Sequence, residues 1–173
     1  FKVNSSLLQD RLYLNNGKGI YTKSVDALPK MYTSGGVVST ADFDNDGDLD
    51  LFVGGRVVPG NYPKAPRSYL LKNTEGKFED ITELEAPDLM HPGLVTSSLW
   101  TDFNKDGKKD LIITGEWMPI LAFENKDFHF TNVSDSLGLA GTEGWWYSIA
   151  EGDFDNDGDI DFIAGNLGLN YKY

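Results

Sequence analysis

Carboxylates recur at alternate positions in three short stretches of this sequence. The first is Asp42-Phe43-Asp44-Asn45-Asp46-Gly47-Asp48-Leu49-Asp50. The second is Asp102-Phe103-Asn104-Lys105-Asp106-Gly107-Lys108-Lys109-Asp110, and the third is Asp153-Phe154-Asp155-Asn156-Asp157-Gly158-Asp159-Ile160-Asp161. All read D-F-[DN]-x-D-G-x-x-D, with oxygen side chains at positions 1, 3, 5 and 9 and glycine at 6. A hard cation such as Ca2+ takes about 6–8 oxygen ligands at about 2.3–2.6 Å. Alternate oxygens meet at one point only if the chain curls sharply, and glycine permits that curl. Position 7 need offer only its carbonyl, so Asp48, Lys108 and Asp159 can each stand there. Asn104 keeps the oxygen and drops a charge, so the middle loop should bind most weakly. The expectation is one Ca2+ per loop, three per chain.

Each loop runs directly into an apolar stretch: Leu51-Phe52-Val53, Leu111-Ile112-Ile113 and Phe162-Ile163-Ala164. An EF-hand would place a bidentate Glu at position 12 and a helix after it. Position 12 here is Val53, Ile113 or Ala164, and the run that follows reads as a strand. A dockerin-like loop fails on the same position. Acidic turns that bind nothing are disfavoured, because five carboxylates within nine residues repel one another without a cation.

Between the loops lies a second repeat. Residues 11–21 read as strand, Asn-Gly turn, strand; so do 68–73 with 77–81, and 120–125 with 128–133. Asn-Gly and its relatives supply the positive φ angles of tight hairpins. One unit is therefore a strand entering the loop, a strand leaving it, and a hairpin, a period that marks a propeller blade. Loop, apolar strand and glycine together resemble the FG-GAP or VCBS-type repeat of integrin-like β-propellers and bacterial surface proteins. The resemblance implies an all-β chain whose calcium loops join the first two strands of each blade.

On that frame the whole of 1–173 is a single β-propeller segment of about three four-stranded blades, two complete and two partial. Residues 1–25 are a partial blade, 34–82 and 94–133 complete ones, and 145–166 a partial one. A closed ring needs about four blades or more. The expectation is a longer parent chain, with edge-to-edge self-association of copies as the other way to close the ring.

Composition narrows the partners. A net charge of −12 argues against nucleic acid. The sequence has no apolar run of 18 residues, so no membrane insertion is expected. Calcium loops of this kind suit millimolar extracellular calcium, and the absence of cysteine is compatible with metal serving as the staple. The expected location is extracytoplasmic: secreted, periplasmic or at the cell surface.

In a four-stranded meander the calcium loops and hairpin turns share one face. The other face carries 55–67, 83–93, 116–119 and 137–144, which are longer and less alike, as functional loops tend to be. Arg56, Lys64 and Arg67 stand out there in an acidic chain, and His91 precedes Pro92-Gly93. Trp117, Trp145 and Trp146 fall at strand edges on the same face, whereas Trp100 reads as core and His129 as outward-facing. Arg56, Arg67, His91 and Trp145 are the candidate ligand-binding residues, with an acidic glycan or peptide as the favoured ligand.

No P-loop, nucleophile elbow, zinc motif or catalytic carboxylate pair stands outside the loops. The favoured function is therefore a calcium-stabilised module for adhesion or for recognition of a glycan or extracellular protein. One alternative is part of a propeller-based polysaccharide lyase or sugar dehydratase, with Arg56, His91 and Trp145 lining a cleft. Another is a scaffold whose activity lies elsewhere in a longer chain.

Overall fold

A computed structural model of the chain describes residues 2–168. Among them the fold is all-β and antiparallel. A hairpin of β1 (Leu12–Asn15) and β2 (Tyr21–Ser24) comes first. A four-stranded meander follows: β3 (Ser34–Ala41), β4 (Asp50–Val57), β5 (Tyr69–Thr74) and β6 (Lys77–Asp80). The pattern repeats in β7 (Leu94–Thr101), β8 (Asp110–Met118), β9 (Leu121–Lys126) and β10 (His129–Asn132). Last come β11 (Gly144–Gly152) and β12 (Asp161–Asn166). Each nine-residue loop joins β3 to β4, β7 to β8 or β11 to β12, as the motif requires.

The sheets pack face to face in series, which is the propeller-like part of the architecture. Between the first two sheets lie Phe52, Leu70, Val95, Leu111, Ile113 and Phe123, all buried. The Phe at loop position 2 is central to this packing. Phe43 stacks on Trp100 at 5.8 Å and meets Phe130 edge-on at 5.5 Å, and Trp100 meets Phe130 at 5.9 Å. Such aromatic contacts add about 0.5–1.5 kcal/mol each beyond burial, so Phe43→Ala should cost about 3–5 kcal/mol. Phe103 fills the equivalent place against Ile149 and Phe162 of the last strand pair. Thus a loop residue packs each four-stranded meander against the strands that follow it.

Two features differ from the sequence reading. Residues 83–93, expected as an irregular loop, contain a short helix α1 (Thr82–Glu85) and a 3-10 turn at Pro87–Leu89. The reason is burial: Ala86 and Leu89 plug the core, while the Thr82 hydroxyl accepts the Leu70 N–H at 2.7 Å. The last strand pair is also no separate sheet. β11 hydrogen-bonds the far end of β8, with Gly144 opposite Met118 and Trp145 opposite Glu116.

Bulges recur at matching places. Gly36 in β3, Thr96 in β7 and Tyr147 in β11 are each the extra residue in their strand pair, six residues before the first loop Asp. A bulge bends the strand and re-aims the side chain it carries. Gly36 allows a close approach, since a Cβ there would lie 2.9 Å from the Arg56 Cβ and 2.8 Å from the Val95 carbonyl. Among the described residues no helix is long and apolar enough to cross a membrane.

Candidate metal loops and the opposite face

The three loops share one hydrogen-bonded cage. In the first, Asp42 Oδ1 accepts the Asp46 N–H at 3.1 Å and Oδ2 the Gly47 N–H at 3.1 Å; Asp46 Oδ1 accepts the Asp48 N–H at 2.9 Å. The same bonds recur from Asp102 and Asp106 in the second loop and from Asp153 and Asp157 in the third. Gly47, Gly107 and Gly158 at position 6 have φ of +94°, +86° and +88°. Position 4 is left-handed too, with Asn45, Lys105 and Asn156 at φ of +57°, +61° and +62°. The sequence held this signal in the two Asn residues, which tolerate that conformation.

Oxygens of Asp42, Asp44 and Asp50 come within 4.8 Å of one another, as do those of Asp153, Asp155 and Asp161. That donor set of carboxylates fits a hard cation. Asn104 occupies the corresponding place in the middle loop and hydrogen-bonds Glu124. Lys72 pairs with Asp44 and lies 3.7 Å from Asp46, and Lys105 of the second loop pairs with Asp159 of the third. These ammonium groups offset part of the carboxylate repulsion. Asp48 and Lys108 turn their side chains outward, Asp48 to the Glu75 N–H and Lys108 to Asp127.

Asp50 and Asp110 at position 9 do a second job. Both are fully buried, and burial pushes each carboxyl up to about 6 against the pull of backbone N–H donors. Asp50 accepts from Phe43 and Asn73, and Asp110 from Phe103 and Asn125. Each thus ties its loop to the third strand of its sheet. Asp161 accepts the Phe154 N–H at 2.9 Å and is only half-buried.

Two asparagines complete this lock, in positions the sequence reading took only as parts of the hairpins. Asn73 Nδ2 donates to the Leu49 carbonyl, and Asn125 Nδ2 donates to Phe43 and Lys109, so Asn125 also joins two sheets. Their signal was register: Asn16, Asn73 and Asn125 each stand five residues before an aromatic.

At the other ends of the strands the candidate ligand residues fall into two groups. Arg67 and His91 line a cleft of about 250 Å³ with Lys64 and Tyr32. Arg67 also pairs with Asp80 at 2.8 Å and lies over the Tyr69 ring. Arg56 and Trp145 belong instead to a cluster around Glu116, which the sequence reading missed. Arg56 Nη2 donates to Glu116 Oε1 at 2.5 Å, Tyr147 to Oε1 at 3.0 Å and Tyr62 to Oε2 at 3.3 Å. Burial would raise the Glu116 carboxyl, but hydrogen bonds from Arg56, Trp145 and Tyr147 outweigh it and hold it below its usual range. Arg56 and Glu116 each stand six residues after their loop's last Asp, so comparing the repeats pairs opposite charges.

The tryptophans divide between core and surface. Trp145 is buried, Trp146 is half-buried and donates to the Thr142 carbonyl at 3.0 Å, and Trp117 is 61% exposed. Trp100 is buried and His129 exposed, 3.5 Å from Glu85.

A search of curated proteins gave no match. The FG-GAP-like repeat profile matches residues 4–53 and 102–164, more than half of the chain.

Proposed function

Because the chain belongs to the FG-GAP-like repeat family, we propose that it is a calcium-binding propeller module of an extracytoplasmic protein, recognising its partner on the face away from the loops. Its successive sheets are then blades: two complete, preceded by an outer hairpin and followed by an inner strand pair. The supporting observation is the common cage of the three loops, with the close carboxylate sets of Asp42, Asp44 and Asp50 and of Asp153, Asp155 and Asp161.

The ion would be held by the side chains at positions 1, 3, 5 and 9 and by the carbonyl of Asp48, Lys108 or Asp159. Calcium supplies charge neutralisation there and no catalytic step. The protein's own residues do the positioning. Asp50 and Asp110 fix the end of the loop on the third strand, and the Phe at position 2 fixes its start in the core.

Calorimetric titration of the metal-free protein should find three sites, with the Asn104 loop weakest. A native-state ligand adds about 2.7 kcal/mol per site at 100-fold excess over Kd, so EDTA should lower the melting temperature by many degrees. No binding at millimolar calcium, or a melt indifferent to EDTA, defeats this reading. The partner face is supported by the contrast between uniform loops on one side and the unlike segments bearing Tyr62, His91 and Trp117 on the other.

A further inference from the structure

Where the ends of β4, β8 and β11 meet, three aromatic side chains stand in solvent around one buried acid. Trp117 is 61% exposed, Tyr62 51% and Tyr147 46%, whereas Glu116 is 4% exposed. Two of the three are aimed by bulges. Tyr147 is the extra residue of β11, and Trp117 is the extra residue of β8 against β11, between Glu116 opposite Trp145 and Met118 opposite Gly144.

Trp117 also has a φ of +58°, an outlier for so bulky a residue. Strain of that kind persists only where the surroundings impose it, and it collects at binding sites. Here the surroundings are explicit. The Trp117 indole packs on Trp145 with ring centres 5.0 Å apart, and its Nε1 donates to the Tyr62 hydroxyl. Tyr62 in turn bonds Glu116, the hub that also holds Arg56 and Tyr147.

We propose that this platform of Trp117, Tyr62 and Tyr147, braced by the Arg56–Glu116 pair, binds a neutral pyranose unit of a glycan. The inference rests on the reading that this face recognises a partner, and it names the ligand. Charge excludes the competitors. The acidic ligand expected from Arg56 alone meets a guanidinium already neutralised by Glu116, inside a chain of net charge −12. A cationic ligand would find no free carboxylate in the platform, because Glu116 is almost wholly buried and already bonded by Arg56, Tyr62 and Tyr147. A pyranose offers an apolar C–H face to stack on the indole and a rim of hydroxyls. Those hydroxyls can donate to the tyrosine oxygens, whose own protons go to Glu116, and accept from the N–H donors of Arg56 that Glu116 leaves unused. Glu116, almost wholly buried, is a positioning residue.

The test is an array of neutral oligosaccharides built on glucose, galactose, mannose and xylose, printed beside uronate oligosaccharides and unglycosylated peptides. Hits are then titrated against the calcium-loaded chain. The expected result is binding to a neutral glycan, with Trp117→Ala weakening it at least tenfold and Tyr147→Phe weakening it less. Trp117→Gly serves as the folding control. It relieves the left-handed backbone that alanine keeps, so it should melt higher than Trp117→Ala and still lose binding. Binding confined to uronates or peptides, binding to nothing on the array, or binding unmoved in both Trp117 variants overturns the proposal. If Arg67→Ala or His91→Ala abolishes binding while the Trp117 variants do not, the partner face stands and the sugar platform falls. If binding maps to the loops at Asp42 or Asp153, both fall.

Discussion

Asn125→Ala is the substitution whose cost the structure specifies most directly. The side chain is fully buried and makes three bonds: Nδ2 to the Phe43 carbonyl at 2.8 Å and the Lys109 carbonyl at 3.2 Å, and Oδ1 from the Phe128 N–H at 2.9 Å. An orphaned buried polar group costs about 1–3 kcal/mol. The Phe43 carbonyl is the deeply buried partner, and water can reach the other two more easily. The total is about 3 kcal/mol, a large share of the 5–15 kcal/mol that typically separates folded from unfolded chains. Asn73→Ala breaks two part-buried bonds, to Leu49 and from Gly76, and should cost about 1–2 kcal/mol. Asn16→Ala breaks only exposed turn bonds, and its cost should stay within about 0.5 kcal/mol. Urea unfolding in EDTA measures all three without metal in the balance. At about 1–3 kcal/mol per molar of urea, Asn125→Ala should move the midpoint by 1 M or more, as an order of magnitude. An Asn125→Ala midpoint within error of wild type, or an order with Asn16→Ala first, would falsify the assignment of these asparagines as loop locks.

Two further outcomes follow from the geometry. Lys105 is left-handed where the other loops place Asn, and its exposed pairing with Asp159 is worth little; Lys105→Asn should therefore stabilise the chain by about 0.5–1 kcal/mol, and a loss of similar size in a urea titration would count against the strain argument. Glu116 is held below its ordinary 4.5, so its ionised network stabilises the fold fully above that value and less as pH falls through the lowered pKa. Glu116→Gln should thus cost about 2 kcal/mol near neutrality and progressively less below pH 4.5, as read from paired melts in EDTA; a gap that stayed constant on acidification would refute it.

The nine-residue loops and the strands beside them were legible because one register repeated three times and a continuous apolar run followed each copy. Their hydrogen bonding adds detail to a pattern already visible in Asp42, Gly47 and Asp50. The face opposite the loops was harder to read for a physical reason. Arg56 read alone is a free cation, and only its pairing with Glu116 on the neighbouring sheet shows its charge to be spent. Trp145 and Trp146 sit side by side, and strand alternation alone cannot say which turns inward until the bulge at Tyr147 fixes the phase. Trp117 was legible as a strand-edge residue of that face, but nothing in its neighbours announces a left-handed tryptophan. The helix at Thr82–Glu85 is set by what Ala86 and Leu89 must fill, a demand that comes from another sheet.

The meander order has a consequence for how the chain comes together and apart. From 34 to 80, and from 94 to 132 apart from the short β8–β11 contact, every hydrogen-bonded neighbour in the sheet is also the next strand in the chain. Closing such short loops costs little entropy, so either sheet can form without waiting for the other. Joining them is a separate event, made by Phe43 entering beside Trp100 and by Asn125 reaching the Phe43 carbonyl. Amide exchange should report this division. The N–H groups of Leu70, Leu111 and Phe123 lie where all sheets must open together and should exchange at the slowest, global rate. Those of the β1–β2 hairpin, whose side chains are mostly in solvent, should exchange through opening of that hairpin alone, leaving the rest of the molecule intact.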